Sequence, residues 1–219
     1  MAFAVDPAAE GLRFPPSEIE SNEPPLESDF HRDQIDLLIR LLRWWWRERQ
    51  DVYISGNLTV YYDEQQLKRR NFRGPDFFVV LGAEKRDRLS WVVWHEGGAY
   101  PHVIVELLSP TTAKVDRGQK KALYQDTFRT PNYFWFDPVS LEFQGFQLQR
   151  GVYEAIEPNS RGWLWSEPLQ LFLGIHERKL RFFTPTGDLV ALPEEELAHQ
   201  ATQARQRAEQ ERQRAEQER

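Results

Sequence analysis

Two acidic residues of this chain stand beside runs of apolar residues that are typical of buried strands. Asp76 precedes the run Phe77-Phe78-Val79-Val80-Leu81, and Glu106 lies near the end of the run Val103-Ile104-Val105-Glu106-Leu107-Leu108. An unpaired carboxylate is costly to bury among such side chains, so each one needs a partner. The lysine pair Lys120-Lys121 follows on a predicted helix, and the whole set indicates a divalent-metal site for phosphodiester chemistry.

Each of these residues also has a purely structural interpretation. Asp76 follows Pro75 and suits a turn where a strand starts, and Glu106 suits a buried ion pair with a lysine or arginine. Lys120 stands four residues after Asp116, which is the spacing of an ordinary ion pair on a helix surface. The residues alone leave both interpretations open.

Size and composition are those of a folded protein. The chain has 219 residues, of which 40% are hydrophobic, enough for one sizeable core and an appendage. It contains no cysteine, which excludes disulfides and thiolate metal sites. No apolar run approaches the roughly 18 residues that span a membrane. The first 20 residues lack the features of a signal peptide, so we expect a cytoplasmic protein with no membrane association.

The net charge of −6 comes from the start of the chain. Residues 1–30 carry seven acidic residues and Arg13 alone, whereas the basic and acidic residues of the remainder balance. Charge therefore permits nucleic-acid binding without indicating it. A stretch with Lys68, Arg69, Arg70 and Arg73, just before Asp76, is a candidate for phosphate contacts or a solvated loop.

Apolar periodicity predicts a helix, three strands, a second helix and a further strand. Their ranges are 28–50, 52–62, 77–81, 103–108, 112–128 and 133–136. Because a helix joins the last two strands, we expect these two to be parallel within an otherwise meandering mixed sheet of the α/β (α+β) class. His31, near the start of the first helix, is expected to cap it or to line the site. Trp44, Trp45 and Trp46 span a wide arc, so at least one indole is available for a homodimer interface.

Two hairpins and a long helix are predicted towards the C-terminus. The first hairpin joins 141–148 to 152–156, with a bulge at Gly145, and the second joins 180–184 to 189–192. A helix follows from Pro193, and residues 205–211 are repeated unchanged at 212–218. Alanine is the only apolar residue of this repeat, which favours a solvated helix braced by Arg–Glu pairs. A weak coiled coil or partner-binding helix is the alternative.

Four motifs together resemble the Uma-two family of restriction endonuclease-like proteins, in the PD-(D/E)XK nuclease-like superfamily. The motifs are Pro75-Asp76, Val105-Glu106-Leu107-Leu108-Ser109-Pro110, Asp116-x3-Lys120-x3-Tyr124 and Pro131-Asn132-Tyr133-Phe134-Trp135-Phe136-Asp137-Pro138. The resemblance runs from about residue 31 to 192. It implies a restriction-endonuclease-like αβββαβ core, here with a leader at 1–27, a nuclease-like domain at 28–192 and a charged helix at 193–219.

The resemblance also implies roles for particular residues. Asp76 and Glu106 would bind Mg²⁺ or Mn²⁺, with the backbone carbonyl of Leu107 as a third ligand. The superfamily places a lysine two residues after the glutamate, but Leu108 stands there in this chain. Similar families move the lysine to the following helix, where Lys120 matches. Lys120 would then position or activate water, or neutralise charge on the phosphate.

The sequence therefore predicts a metal-dependent endonuclease that hydrolyses DNA. The alternative is an inactive nuclease fold that binds nucleic acid or protein, suggested by Leu108 at the usual lysine position. A third hypothesis makes the repeated C-terminal helix the operative element, through self-association or partner capture.

Overall fold

A six-stranded mixed sheet with one helix on each face forms the centre of the fold, in a computed structural model that describes residues 28–63 and 74–217. The elements are α1 (Asp29–Trp45), β1 (Val52–Ser55), β2 (Val60–Tyr61), β3 (Phe77–Leu81), β4 (Trp91–Val92), β5 (Val103–Leu107), α2 (113–128), β6 (Asn132–Phe136), β7 (Phe143–Gln149), β8 (Val152–Ala155), β9 (Leu164–Ser166), β10 (Leu171–His176), β11 (Lys179–Phe183) and α3 (Pro193–Gln217).

The central sheet has the strand order β1-β3-β5-β6-β7-β8. Its neighbours β5 and β6 are parallel and are joined by α2, whereas every other pair in this sheet is antiparallel. The predicted αβββαβ order is confirmed in α1, β1, β3, β5, α2 and β6. The predicted mixed α/β class is confirmed as well.

Alternation along β5 divides the core into two clusters. Val103, Val105 and Leu107 pack in the cluster that contains the apolar face of α1. Ile104 packs in the opposite cluster, which contains Tyr124 of α2. Because side chains alternate along a strand, Glu106 lies on the same face as Ile104, towards α2.

The stretch 52–62, predicted as one strand, is divided in two. β1 pairs with β3 in the central sheet, whereas β2 pairs in parallel with β4 in a separate sheet. The break falls at Gly56-Asn57, where Asn57 has φ +47 and its N–H lies 3.1 Å from the carbonyl oxygens of both Pro75 and Asp76. A Cβ on Gly56 would collide with the Asp76 carbonyl, so this turn also supports the backbone of Asp76.

The C-terminal strands agree with the prediction in part. The hairpin of β7 and β8 turns at Arg150-Gly151 as expected, but its register with β6 is continuous and Gly145 forms no bulge. A Cβ on Gly145 would lie 2.5 Å from the Phe134 ring, so the glycine makes room for that ring.

The second predicted hairpin is wrong in its pairing. Strand β11 forms, but the stretch after it contributes only an isolated bridge between Phe183 and Leu189. Instead, β11 pairs with β10, which pairs with β9, and these two strands were not predicted. Glu177 and Arg178 take positive φ values of 48 and 62 in the tight turn between β10 and β11.

Helix α3 begins at Pro193 as predicted, and its first turn is tied to the domain. Glu195 pairs with the buried Arg181 at 2.8 Å, and Glu194 pairs with Arg40 of α1. Residues 201–214 are exposed throughout.

Of the adjacent indoles on α1, that of Trp45 is 41% exposed. No helix in the described ranges is long and apolar enough to cross a bilayer.

Candidate active site

Asp76 and Glu106 meet at one end of the central sheet. Phe77 is paired with Val105 in the antiparallel register of β3 and β5, so the residue before Phe77 stands opposite the residue after Val105. The N–H of Asp76 donates to Glu106 Oε2 at 3.4 Å, and the N–H of Leu107 donates to Asp76 Oδ2 at 2.7 Å. The two predicted metal ligands are therefore brought together.

Glu106 is fully buried, and partners from α2 reach both of its oxygens. The ammonium of Lys120 lies 2.9 Å from Oε2, and the hydroxyl of Tyr124 donates to Oε1 at 2.7 Å. Both partners lie on α2 because α2 covers the face of β5 towards which the Glu106 side chain points. Lys120 thus forms an ion pair with Glu106, one of the two acids beside which the resemblance placed it.

Lys120 also keeps its helical partner. Its ammonium lies 2.8 Å from Oδ1 of Asp116, which is 1% exposed. The Asp116–Lys120 pair, which the spacing suggested would lie on the surface, is therefore buried, and it adds Asp116 to the site. Sequence reasoning missed Asp116 and Tyr124 as members of the site, although both stand in the four-residue spacing of the Asp116-x3-Lys120-x3-Tyr124 motif.

The turns of α2 differ from those of an ordinary α-helix at the residues of the site. In an ordinary α-helix, a step of four residues turns about 40° beyond a full turn, so residues spaced by four share one face. Asp116–Lys120 and Tyr124–Phe128 instead form wider π-type turns within α2. Wider turns of this kind are often found at functional sites.

Burial and surplus negative charge dominate the electrostatics of the site. Burial raises the pKa of Glu106 to about 7, although the nearby ammonium of Lys120 opposes the shift. Burial likewise raises the pKa of Asp76 and that of Asp116. For Lys120, burial alone would lower the pKa, but Glu106, Asp116 and Asp76 together raise it above its usual value. Three carboxylates thus face a single ammonium.

The backbone of Leu107 connects the acidic pair to α1. Its N–H binds Asp76, and its carbonyl oxygen lies 3.2 Å from Nε2 of His31. Nδ1 of His31 lies 2.8 Å from Oγ of Ser28, the residue that caps α1. His31 therefore both contributes to the helix start and lines the site, and it is the present partner of the carbonyl expected to bind a metal.

Other predicted candidates lie elsewhere. Leu108, at the usual lysine position, is buried in the cluster that includes Tyr124. Lys121 places its ammonium 3.5 Å from the ring centre of Phe146. The basic stretch around Lys68, like residues 1–27, lies outside the described residues.

Metal-ligating side chains are few at this site. Within residues 28–63 and 74–217, no group of three or more His, Cys, Asp or Glu side chains is arranged to hold a metal ion. A cation here would therefore take Asp76, Glu106 and backbone or water oxygens. That ligand set suits magnesium, which keeps several waters and uses one or two carboxylates.

Comparisons with known proteins identify related sequences and folds. A family model described as "Uma2: Putative restriction endonuclease" matches residues 17–205. One similar solved structure is the crystal structure, at 1.96 Å resolution, of a "putative nuclease belonging to DUF820" from Anabaena variabilis ATCC 29413. It is 12% identical, with 67% of this chain and 76% of that chain covered and a TM-score of 0.49. A search of curated proteins found no match.

Proposed function

Because the chain belongs to the Uma2 family of restriction endonuclease-like proteins, we propose that it is a metal-dependent endonuclease that hydrolyses DNA phosphodiester bonds. One observation carries the proposal. The ammonium of Lys120 lies 2.9 Å from Glu106, whose neighbour across the strand pair is Asp76. Two acids and one lysine are thus gathered at one sheet end, although the usual lysine position holds Leu108.

The residues of the site suit a hard divalent cation such as Mg²⁺ or Mn²⁺. Three buried carboxyls share one ammonium, and burial raises the pKa of each, so a bound divalent cation would stabilise their ionised forms. Asp76 and Glu106 would hold the cation, together with the carbonyl oxygen of Leu107. When bound, the cation polarises the phosphoryl group and lowers the pKa of bound water.

The protein's own groups have distinct roles in this proposal. The raised pKa of Lys120 keeps its side chain protonated at neutral pH, so it acts as a fixed positive charge for the phosphoryl oxygens rather than as a base. Tyr124 fixes the orientation of the Glu106 carboxylate through Oε1. The N–H of Leu107 does the same for Asp76. Preorganised groups of this kind reduce the reorganisation that charge development requires.

Plasmid cleavage tests the proposal. Wild-type protein is incubated with supercoiled DNA and Mg²⁺ or Mn²⁺, beside Asp76→Ala and Glu106→Ala purified in parallel. We expect nicked or linear DNA from the wild type alone, and none in EDTA. If the wild type cleaves no more than the two variants, the endonuclease assignment fails for this substrate.

A specific observation favours a second candidate, a non-catalytic nuclease fold that binds nucleic acid or protein. Both oxygens of Glu106 already have partners, and the Leu107 carbonyl is bound by His31. Calorimetric titration with Mn²⁺ separates the candidates. Binding that is lost in Glu106→Ala contradicts the non-catalytic candidate, whereas no binding in the wild type supports it.

The partners expected from the sequence follow from the same proposal. DNA is the proposed partner, and a cytoplasmic location accords with that substrate. A homodimer through α1, where Trp45 is exposed, and weak self-association through α3 stay as predictions.

A further inference from the structure

A cavity of about 370 Å³ lies at the end of the central sheet that carries the candidate active site. We propose that this cavity binds one unpaired nucleobase of a nucleic-acid substrate. This inference rests on the proposed function and adds a substrate class to it. The apolar wall is formed by Phe30, Leu108, Pro110, Pro138 and Val139.

The position of the cavity in the fold is one that commonly binds ligands. Leu108 and Pro110 follow the end of β5, and Pro138 and Val139 follow the end of β6, the parallel pair of the sheet. Ligands of sheets with parallel strands bind at the carboxyl ends of those strands. The cavity occupies that position, and the start of α1 closes its other side through Phe30.

A short chain of contacts links the cavity to the acidic pair. His31 lines the cavity, and its Nε2 lies 3.2 Å from the carbonyl oxygen of Leu107. The N–H of the same residue, Leu107, lies 2.7 Å from Oδ2 of Asp76. The backbone of one residue, Leu107, therefore separates the cavity wall from a proposed metal ligand. In the inferred complex, the phosphate of a nucleotide lies at Asp76 and Glu106 and its base lies in this cavity.

The lining matches the chemistry of a base. Nucleobases have apolar faces that stack on aromatic rings and polar edges that form hydrogen bonds. The half-buried ring of Phe30 is one wall, with its centre 6.4 Å from that of Phe136. Ser28, His31 and Ser109 supply the few polar groups. A mainly apolar cavity with a few polar groups, within the range of about 300–1,000 Å³, is typical of small-molecule sites.

Hydrogen bonds hold both loops of the cavity in place. Asp137 Oδ1 accepts from the N–H of Val139 at 2.8 Å and from that of Ser140 at 3.2 Å. Oγ of Ser109 accepts from the N–H of Thr112 at 3.1 Å. Because these loops are already ordered, binding a base requires little further ordering. Val139 stands 80% exposed, a large apolar side chain that a bound base would cover.

This geometry selects among nucleic acids. In a duplex, bases are stacked and paired, and one would have to leave the helix to enter the cavity. A single strand offers unpaired bases without that cost. The inferred substrate class is therefore single-stranded DNA or duplexes with unpaired nucleotides, in preference to intact duplex.

Phe30→Leu tests the inference, with Phe172→Leu as the matched control. Both rings are half-buried, but Phe172 lies on β10, in the other sheet. The probe is a fluorescein-labelled single-stranded DNA of about 12 nucleotides. Its anisotropy is followed in EDTA, so that neither metal nor cleavage contributes. An abasic oligonucleotide of equal length is the competitor, and thermal melting verifies that both variants fold.

We expect Phe30→Leu to weaken binding about tenfold, the loss of one base–aromatic stack, and Phe172→Leu to change it less than twofold. The abasic oligonucleotide should compete about tenfold less well with wild type, and this difference should vanish in Phe30→Leu. Equal competition by the abasic strand, or equal effects of the two variants, would overturn the inference.

Plasmid cleavage separates this inference from the proposed function. Cleavage in Mg²⁺ without base-dependent binding leaves an endonuclease and overturns the cavity assignment. Base-dependent binding that requires Phe30, without cleavage in any metal, supports the cavity and overturns the endonuclease proposal.

Discussion

The ammonium of Lys120 lies 2.9 Å from Oε2 of Glu106, and it comes from the crossover helix rather than from the strand. Leu108, two residues after Glu106, is buried among apolar side chains and could not supply a charge there. A lysine on α2 reaches the same carboxylate because α2 packs over that face of β5. The positive charge at this site therefore comes from Lys120 on α2, and not from the position two residues after Glu106 where the superfamily pattern places a lysine.

Removing the charge of Lys120 should remove most cleavage. We expect Lys120→Gln to lower kcat by at least about 100-fold, because the loss of one preorganised charged group costs that much in comparable sites. Lys121→Gln is the matched control, since Lys121 packs on Phe146. Single-turnover cleavage of plasmid measures both. Equal losses in the two variants would contradict the assignment of Lys120.

Asp116 should be coupled to Lys120 energetically. Their 2.8 Å contact is buried, so Lys120→Gln should lower the free energy of unfolding, and Asp116→Asn removes the partner of that ammonium. The double variant should lose less than the sum, by about 1–3 kcal/mol. Urea unfolding of the four proteins measures this coupling. Additive losses would mean that the pair contributes nothing beyond its separate residues.

Stability should fall as Glu106 ionises. Its pKa is raised to about 7 in the folded protein from 4.5, so between these values the folded state holds a proton that the unfolded state has released. The free energy of unfolding therefore decreases as pH rises through this window, on the order of 3 kcal/mol, and levels off above it. Glu106→Gln, which cannot ionise, should lose this part of the dependence.

Thermal melting from about pH 5 to about pH 8 tests the sign. The Tm of Glu106→Gln relative to wild type should increase with pH. Burial raises the pKa of Asp76 and Asp116 too, so some decline persists in the variant. At the upper pH, Mg²⁺ should raise the Tm of wild type and not that of Glu106→Gln. A difference in Tm that is independent of pH would contradict the raised pKa.

Tyr124 should affect both stability and pH dependence. Tyr124→Phe removes the donor 2.7 Å from Glu106 Oε1, and we expect a loss of about 1–3 kcal/mol. Because that hydrogen bond lowers the pKa of Glu106, its loss should raise this pKa, and we expect metal-dependent cleavage to begin at a higher pH than in the wild type. Tyr153→Phe is the control, since its hydroxyl donates to the carbonyl of Thr130. It should lower stability without moving the pH profile.

The C-terminal helix should divide into an anchored start and a dispensable end. Truncation after Gln200 removes residues that are exposed as far as they are described, so we expect Tm to change by less than about 2 °C. Glu195→Gln weakens the partner of the buried Arg181 and should cost about 1 kcal/mol, a modest value because Glu195 is partly exposed. If truncation changes the oligomeric state by size exclusion, the self-association alternative is correct.

The elements that could be predicted from the sequence are those with a clear apolar periodicity or clear turn residues. Helix α1, the strand order through β6 and the β7–β8 hairpin follow from apolar spacing and turn residues. Strand β9 has only three residues, Pro168 stands between it and β10, and nothing local marks their pairing. The division at Gly56-Asn57 was hidden because β-forming residues stand on both sides.

For the candidate site, residue types were predictable but contacts were not. Asp76, Glu106 and Lys120 were identified from strand ends and a motif. The burial of Asp116 could not be predicted, because a spacing of four residues is the same on a solvated helix face and on a buried one. Whether that pair is buried depends on how α2 packs on the sheet, which is a tertiary property.

The contacts that build the site join distant parts of the chain. His31 meets Leu107 across 76 residues, and Leu107 meets Asp76 across 31. Contacts of such separation require long loops to close, at a cost in chain entropy, before they contribute to stability. A chain that ends before α2 contains Asp76 and Glu106 but lacks Lys120. Unfolding at this end of the sheet would separate Asp76 from Glu106. Cation binding at this site would therefore report the fully folded chain, and could serve as a refolding probe.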